Sequence, residues 1–348
     1  MTRLAAADHE QVTLHRDPCA GYTGIIALHS TVRGPAVGGT RLWSYPDVEA
    51  AAADALRLSR GMSYKNALAG LPFGGGKAVI LGPAPTEPAA RRALMRAHGR
   101  AIESVGGRFV TGEDVGTTVA DMEMIADETA HVAGREGGVG DPSPFTARGV
   151  LVAMEAAASL RWGRADLAGR RVAIQGLGQV GMRLAEMLRA RGAELIVADV
   201  RAARVAEAVA DLGATPAPVD EILAADCDIV APCALGAVLN EASVSQLRAG
   251  VVCGAANNQL AAPDADDLLH TRGVLYVPDY VANAGGVISG SVDIAGWSRA
   301  RMEAALDAID ETVRAVFDRA AEDEIPSGRA ADLLAEQRLA ARPDQRTG

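Results

Sequence analysis

A short apolar run that breaks into three spaced glycines constrains this chain more than any other feature. The stretch Arg170-Arg171-Val172-Ala173-Ile174-Gln175-Gly176-Leu177-Gly178-Gln179-Val180-Gly181 reads as a strand, a tight turn and the start of a helix. Gly176, Gly178 and Gly181 have the G-x-G-x-x-G spacing of a dinucleotide-binding turn, with Leu177, Gln179 and Val180 between them. The first glycine permits the turn, the second lets a pyrophosphate reach the backbone, and the third lets helix and strand pack closely. Free N–H groups at the helix start then face the phosphates. Leu184, Ala185 and Leu188 give that helix an apolar stripe. The next strand, Glu194 to Asp199, ends in an acid about twenty residues past the turn, where a ribose hydroxyl needs an acceptor. Asp199 favours NAD, because a carboxylate repels a ribose phosphate; Arg201 and Arg204 keep NADP open.

The rest of the chain supplies the layers such a unit needs. Short β-rich runs at Ile229–Ala231, Val251–Cys253 and Val274–Tyr276 alternate with helical stretches, which predicts a doubly wound parallel sheet. Earlier, Gly24–His29 reads as a strand. Asp47 reads as the cap of a helix to about Arg60, with Val48, Ala52, Ala55 and Ser59 on one side. Leu71–Lys77 reads as a loop entering the strand Ala78–Leu81, Glu87–Val105 as a helix, Arg108–Thr111 as a strand and Val119–Thr129 as a helix. Gly134–Pro144 holds four glycines and two prolines and reads as a hinge, and Phe145-Thr146 opens a long helix to about Leu160. Arg299–Ala321 and Arg329–Ala341 are expected helices. The expected fold is α/β in two domains: an N-terminal α/β substrate domain over 1–140 and a Rossmann-type domain over 141–324, with a cleft between them. The final helix, about 325–348, is expected to return to the first domain.

Length suits two domains, at 348 residues. A net charge of −10 argues against general nucleic-acid binding. No apolar run is long enough for a membrane span. Met1–Glu10 shows no basic segment followed by an apolar one, so no secretory leader is expected. Four scattered cysteines and six unclustered histidines predict no metal site and fit a reducing cytoplasm. The tail from Arg342 to Gly348 is polar and expected to fray.

Lys65 and Lys77 are the only lysines; every other one of the 34 basic residues is arginine. Both stand at loops or element ends in this reading. An amine can lose its proton when desolvated or set near another cation, and a guanidinium cannot. These two are therefore candidate chemical groups. Asp114 lies in the loop Gly112–Thr118, as a candidate or as an ordinary turn aspartate. Asn257, Asn258 and Asn283 lie where later strands should end, the edge at which such sheets bind ligands; each also suits a plain turn.

The segments GPAVGGTR, MSYKNALAGL, PFGGGKAVI, TGEDVGTT, PSPFTARGV, QGLGQVG, APCALGAVLN, GAANNQL and PDYVANAGG, in order from Gly34 to Gly286, resemble the Glu/Leu/Phe/Val amino-acid dehydrogenases. They are most similar to the shorter leucine, valine and phenylalanine enzymes. The resemblance implies that Lys65 pairs with the substrate carboxylate, helped by the backbone of Gly38 and Gly39. It implies that Lys77 activates water, that Asp114 binds the amino group and moves protons, and that Asn257 or Asn258 touches substrate. Thr146 and Asn283 would meet the nicotinamide amide, with Cys233, Ala234 and Ala255 lining the cofactor. Val37, Gly112, Val287 and Gly290 would set side-chain selectivity. None of the four is charged, so a glutamate carboxylate would be buried unpaired.

The implied reaction is NAD-dependent oxidative deamination of an apolar L-amino acid, of the phenylalanine or leucine/valine class, by a homo-oligomer. For Lys77 to be neutral, burial and the nearby charge of Lys65 would lower its proton affinity. An NADP-dependent glutamate enzyme and a non-catalytic dinucleotide sensor are the rival readings.

Overall fold

The computed structural model describes residues 8–341; the tail from Arg342 to Gly348 and the first seven residues lie outside the described residues. In chain order, β1 (Gln11–Asp17) turns back into β2 (Tyr22–Ser30), then come β3 (Ala36–Val37), β4 (Thr40–Trp43), α1 (Val48–Leu68), β5 (Gly74–Leu81), α2 (Pro88–Glu103), β6 (Phe109–Val110) and α3 (Val119–Ala126). After these follow α4 (Ser143–Trp162), β7 (Arg171–Gln175), α5 (Gln179–Ala190), β8 (Glu194–Ala198), α6 (Ala202–Leu212), β9 (Thr215–Pro216), β10 (Ile229–Pro232), α7 (Glu241–Gln246) and β11 (Val251–Val252). The chain ends through α8 (Asp264–Thr271), β12 (Leu275–Tyr276), α9 (Asp279–Ala282), α10 (Gly285–Ala295), α11 (Arg299–Asp307), α12 (Ile309–Asp323) and α13 (Ser327–Ala340). Two compact units emerge. One takes the described residues up to Asp141, Gly290–Ser298 and the chain from Ala335; the other takes Pro142–Ser289 and Arg299–Leu334.

The first unit is built on a mixed sheet, ordered β1-β2-β5-β3-β6, with β4 also on β5. β1 and β2 pair antiparallel, as do β2 and β5, whereas β3 and β4 run parallel to β5. Alternate residues of the central strands face opposite layers. Ile26, Leu28, Ala78 and Ile80 join Leu94, Met95 and Ile102 of α2 and Met122 and Ile125 of α3. Ile25, Ala27 and Val79 pack on Ala51, Ala52 and Ala55 of α1.

Several local readings need correction here. The α1 helix does not stop near Arg60 but continues through Gly61 to Leu68, so the Met62–Ala67 segment is helical and Lys65 sits in its last turn. Glycine in a helix costs about 1 kcal/mol, and burial of Ser63, Tyr64, Asn66, Ala67 and Leu68 beyond it outweighs that. Asp47 does cap α1, accepting from the Ala50 amide at 2.7 Å, but Val48 is exposed and Ala51 takes its place on the buried face. Gly74, Gly75 and Gly76 are strand, not loop, and Lys77 is mid-strand. These glycines serve close packing: a Cβ would lie 1.8 Å from Ser30 O at Gly74 and 2.0 Å from Ser63 N at Gly75. The α3 helix ends at Ala126, and the helical run from Arg299 is two helices.

The second unit has the order β12-β11-β10-β7-β8-β9, every pair parallel. This is the dinucleotide-binding order, with β7 and β10 flanking the point where the winding reverses. Leu184, Ala185 and Leu188 of α5 are fully buried, as their spacing predicts. No helix among the described residues is long and apolar enough to cross a membrane. No group of three or more His, Cys, Asp or Glu among them could hold a metal ion.

Candidate active site

In the first unit the site grows out of a change of partner along β5. Gly74 and Gly75 pair with β3, while Ala78 to Leu81 pair with β4. Gly38 and Gly39 fill the break between β3 and β4. A Cβ at Gly38 would lie 1.8 Å from Gly76 O, and one at Gly39 would lie 2.8 Å from the Asp114 Cβ. Only glycine lets the chain pass there. Lys77 lies at this break, on the α1 side of the sheet with Gly75 and Val79. It is 5% exposed.

Lys77 Nζ reaches Asp114 Oδ2 at 3.0 Å. Burial is the largest influence on the amine and pushes its pKa down; the Asp114 carboxylate opposes this, and the Arg41 guanidinium adds to the depression. For Asp114, burial pushes upward, but Lys77 and Arg41 outweigh it and hold the carboxyl below its ordinary value. The principal cation acting on Lys77 is thus Arg41, where the sequence reading relies on Lys65. Arg41 Nε donates to Asp114 Oδ2 at 2.9 Å and its Nη1 donates to Asp54 Oδ2 at 2.9 Å. The Tyr45 hydroxyl donates to the same Asp54 oxygen at 2.6 Å.

The Asp114 loop is held from below. Thr117 Oγ1 donates to Thr40 O at 2.9 Å and accepts from the Asp114 amide at 3.0 Å. Thr40 Oγ1 shares hydrogen bonds with Thr111 Oγ1 at 2.7 Å and with His98 Nε2 at 2.8 Å; His98 Nδ1 meets the Tyr22 hydroxyl at 2.8 Å. Sequence reading misses Arg41, Asp54 and His98. Nothing in the sequence sets Arg41 apart; only the structure shows it in a four-residue strand between two buried residues, Thr40 and Leu42. Lys65 stands one helical turn past Met62, whose Cγ lies 3.3 Å from a Cβ built on Gly38. Val37 is buried. Gly112 and Gly290 have nothing nearer than 3.8 Å to a built Cβ, so neither is glycine for want of room.

In the second unit the candidate residues gather at the carboxyl edge of the sheet. Gly176 has φ +96°, and a Cβ there would lie 2.7 Å from the Ala234 Cβ. At Gly181 a Cβ would lie 2.0 Å from Gly176 O and 3.3 Å from the Cys233 Cβ. Gly178 differs: a Cβ would meet nothing within 4 Å, and no side chain caps the helix start there. Asp199 accepts from the Leu177 amide at 2.6 Å and from the Arg201 amide at 2.8 Å, with the Arg201 side chain at 3.2 Å. Burial pushes this carboxyl upward, yet those donors hold it below its ordinary value.

Asn283 Nδ2 donates to Ala255 O at 3.1 Å and to Asn257 Oδ1 at 2.9 Å. Its own Oδ1 is buried without a partner. Asn258 has φ 53°, a left-handed backbone that suits asparagine. Thr146 Oγ1 lies 2.8 Å from a Cβ built on Gly286, which follows Asn283 on the entry to α10, and Val287 is half-buried just beyond. An open second glycine, an uncapped helix start and an orphaned acceptor fit a dinucleotide that brings phosphates and an amide donor.

Comparisons with known proteins agree with this geometry. The family model for the Glu/Leu/Phe/Val dehydrogenase dimerisation domain matches residues 9–131, and that for glutamate/leucine/phenylalanine/valine dehydrogenase matches 137–203 and 197–347. A leucine dehydrogenase from Geobacillus stearothermophilus is 46% identical over 95% of this chain and 91% of its own. A valine dehydrogenase from Streptomyces coelicolor is 49% identical over 96% and 93%. The crystal structure of L-tryptophan dehydrogenase from Nostoc punctiforme superposes with a TM-score of 0.86 at 40% identity, covering 97% of this chain and 98% of that one. With a two-domain α/β architecture and a nicotinamide-dinucleotide turn in place, the chain belongs to the Glu/Leu/Phe/Val dehydrogenase family and is an amino-acid dehydrogenase.

Proposed function

We propose that the chain catalyses reversible, NAD-dependent oxidative deamination of an apolar L-amino acid, giving the 2-oxo acid and ammonia. The observation that carries this reading is the buried Lys77–Asp114 pair, 3.0 Å apart, with the amine's proton affinity lowered. When bound, NAD supplies the hydride acceptor, and the substrate loses a hydride and a proton to become an imine. Lys65 holds the substrate carboxylate. The Gly38 amide is committed to Val110 O at 3.2 Å, which leaves Gly39 the backbone donor. Asp114 takes the proton from the substrate ammonium. Neutral Lys77 removes a proton from water as the oxygen bonds to the imine carbon. Asp114 returns a proton to the nitrogen and, ionised again, takes the proton of the new hydroxyl as the C–N bond breaks, so the carbonyl forms and ammonia leaves. Asn283 offers its unpaired Oδ1 to the carboxamide of the nicotinamide, with Thr146 beside it.

Asp199 supports NAD over NADP, since its charge is fixed by two amides and Arg201 is already turned onto it. Val37 keeps its part of the selectivity site apolar, and the space at Gly112 and Gly290 suits a bulky side chain. The relatives named for leucine, valine and tryptophan span that range. We favour a broad or aromatic apolar substrate, a cytoplasmic location and an assembly of several copies. Initial rates of reduced-cofactor formation with L-leucine, L-valine, L-phenylalanine, L-tryptophan and L-glutamate, each with NAD and NADP, test the reading. Apolar substrates with NAD should dominate; preference for glutamate with NADP, or silence with every apolar substrate, overturns it.

A further inference from the structure

We infer that Arg41 is a positioning residue for this reaction: a guanidinium pinned at both arms that turns the Asp114 carboxylate so that one oxygen serves Lys77 and the other is left for the substrate nitrogen. The inference rests on the deamination reading for Lys77 and Asp114. Both cations meet the same oxygen, Lys77 Nζ at 3.0 Å and Arg41 Nε at 2.9 Å from Asp114 Oδ2. None of these contacts uses Oδ1. A carboxylate gripped by one cation alone can rotate and offer either oxygen. Two cations on one oxygen remove that freedom.

Arg41 is itself immobilised. Its second arm is on Asp54 Oδ2, which also accepts from Tyr45, while Asp54 Oδ1 accepts from Arg57 at 2.7 Å. The Arg41, Asp54 and Asp114 side chains are each under one-fifth exposed. A planar, permanently charged fork suits this task; a lysine has one flexible point charge and cannot grip two carboxylates in a fixed geometry. The arrangement also has an electrostatic consequence. The charged groups facing Lys77 are Asp114 from the loop after β6, Arg41 from β4, and Asp54 from α1. Arg57 and Tyr45 act through Asp54. His29 on β2 is pushed down to about 4 by burial and by nearby cations, so it is neutral in the working range. Arg41 lowers the proton affinity of Lys77 and Asp54 raises it.

The test is kcat against pH for Arg41→Met, Arg41→Lys, Asp54→Asn and Lys77→Ala, with a thermal melt for each. Arg41→Met should lose about 10²-fold in kcat, the scale of an ångström-level misplacement, with its acid limb moved to higher pH. Asp54→Asn should move the limb the opposite way. Arg41→Lys keeps the charge, so its limb should stay close to that of the unaltered enzyme while kcat still falls about tenfold. A purely structural role moves none of these limbs in opposite senses. An unaltered kcat and unmoved limb in Arg41→Met overturn the inference. If that variant fails to fold, full activity in Arg41→Lys, or an unmoved limb in Asp54→Asn, overturns it instead. Lys77→Ala separates the two levels: appreciable activity there defeats the deamination reading, whereas its inactivity beside normal Arg41 variants defeats only the role given to Arg41.

Discussion

In the first unit the candidate site is a set of charged side chains, and its cations are already met: Lys77 and Arg41 share one oxygen of Asp114, and Arg41 is tied in turn to Asp54. In the second unit, apart from Asp199, which two amides and Arg201 already meet, it is backbone and neutral amide, and those groups are left open: Gly178 faces empty space, α5 starts without a side-chain cap, and Asn283 Oδ1 has no partner. In the proposed reaction the difference follows from what each must do. A group that moves protons needs its affinity set before substrate arrives, which takes fixed charges in a dry setting. A site for a large anionic ligand needs donors that the ligand itself will satisfy. Damage to the first should therefore show in rate, and damage to the second in binding.

The largest expected effect tests that division directly. Lys77→Ala should lower kcat by roughly 10³-fold, within the usual range for a lost acid–base group, while NADH affinity by fluorescence titration stays unchanged. The fold should persist, because Arg41 still meets Asp114 and no lone buried charge is left. A comparable loss of NADH affinity would break the comparison.

The glycines of the second unit sharpen it. Gly181→Ala places a methyl 2.0 Å from Gly176 O. It should cost ~1–3 kcal/mol of stability and weaken NADH binding together. Gly178→Ala meets no protein atom within 4 Å, and its φ of −69° suits alanine. It should leave the melting temperature in place and raise the NADH Kd about tenfold, a cost of ~1.4 kcal/mol. Equal melting shifts for the two variants would deny that the second glycine is kept for a ligand.

The same contrast explains what the sequence discloses. The Gly176–Gly181 turn is legible because its chemistry is glycine itself, and the second sheet is legible because strand–helix alternation leaves few topologies. Lys77 stands out by rarity. Arg41 does not, since arginine is nearly the whole basic complement and nothing marks the one that is buried on a carboxylate. The three glycines before Lys77 read as a loop because glycine clusters usually are loops; that Ser30, Ser63 and Phe109 crowd that strand is a tertiary fact. Strand β1 is missed for a related reason. Its residues are half-buried or exposed throughout, so it lacks a clear apolar period, and its register on β2 supplies the pairing.

The smallest effect concerns pH, and here the two units should move apart. Burial is the main cause that pushes His98 down to about 3, and burial with nearby cations takes His29 to about 4. An unfolded histidine binds its proton near 6.5. Below that value the unfolded state holds more protons, so the first unit loses stability as pH falls through 6.5, about 1 kcal/mol from the fully buried His98 by pH 5.5 and less from His29, whose partial exposure lets solvent screen it. In the second unit burial raises Asp266 to about 6, against the opposing Gly328 and Arg329 amides. There the folded state holds the extra proton, and stability is gained as pH falls through 6 towards the unfolded carboxyl value. Amide exchange at pH 7 and pH 5.5, corrected for intrinsic rates, should show protection falling in β2 and α2 but not in α8 or the first turn of α13. Asp266→Asn, which fixes the neutral form, should remove the second unit's gain. Parallel loss of protection in both units would mean that acid acts through groups other than these three.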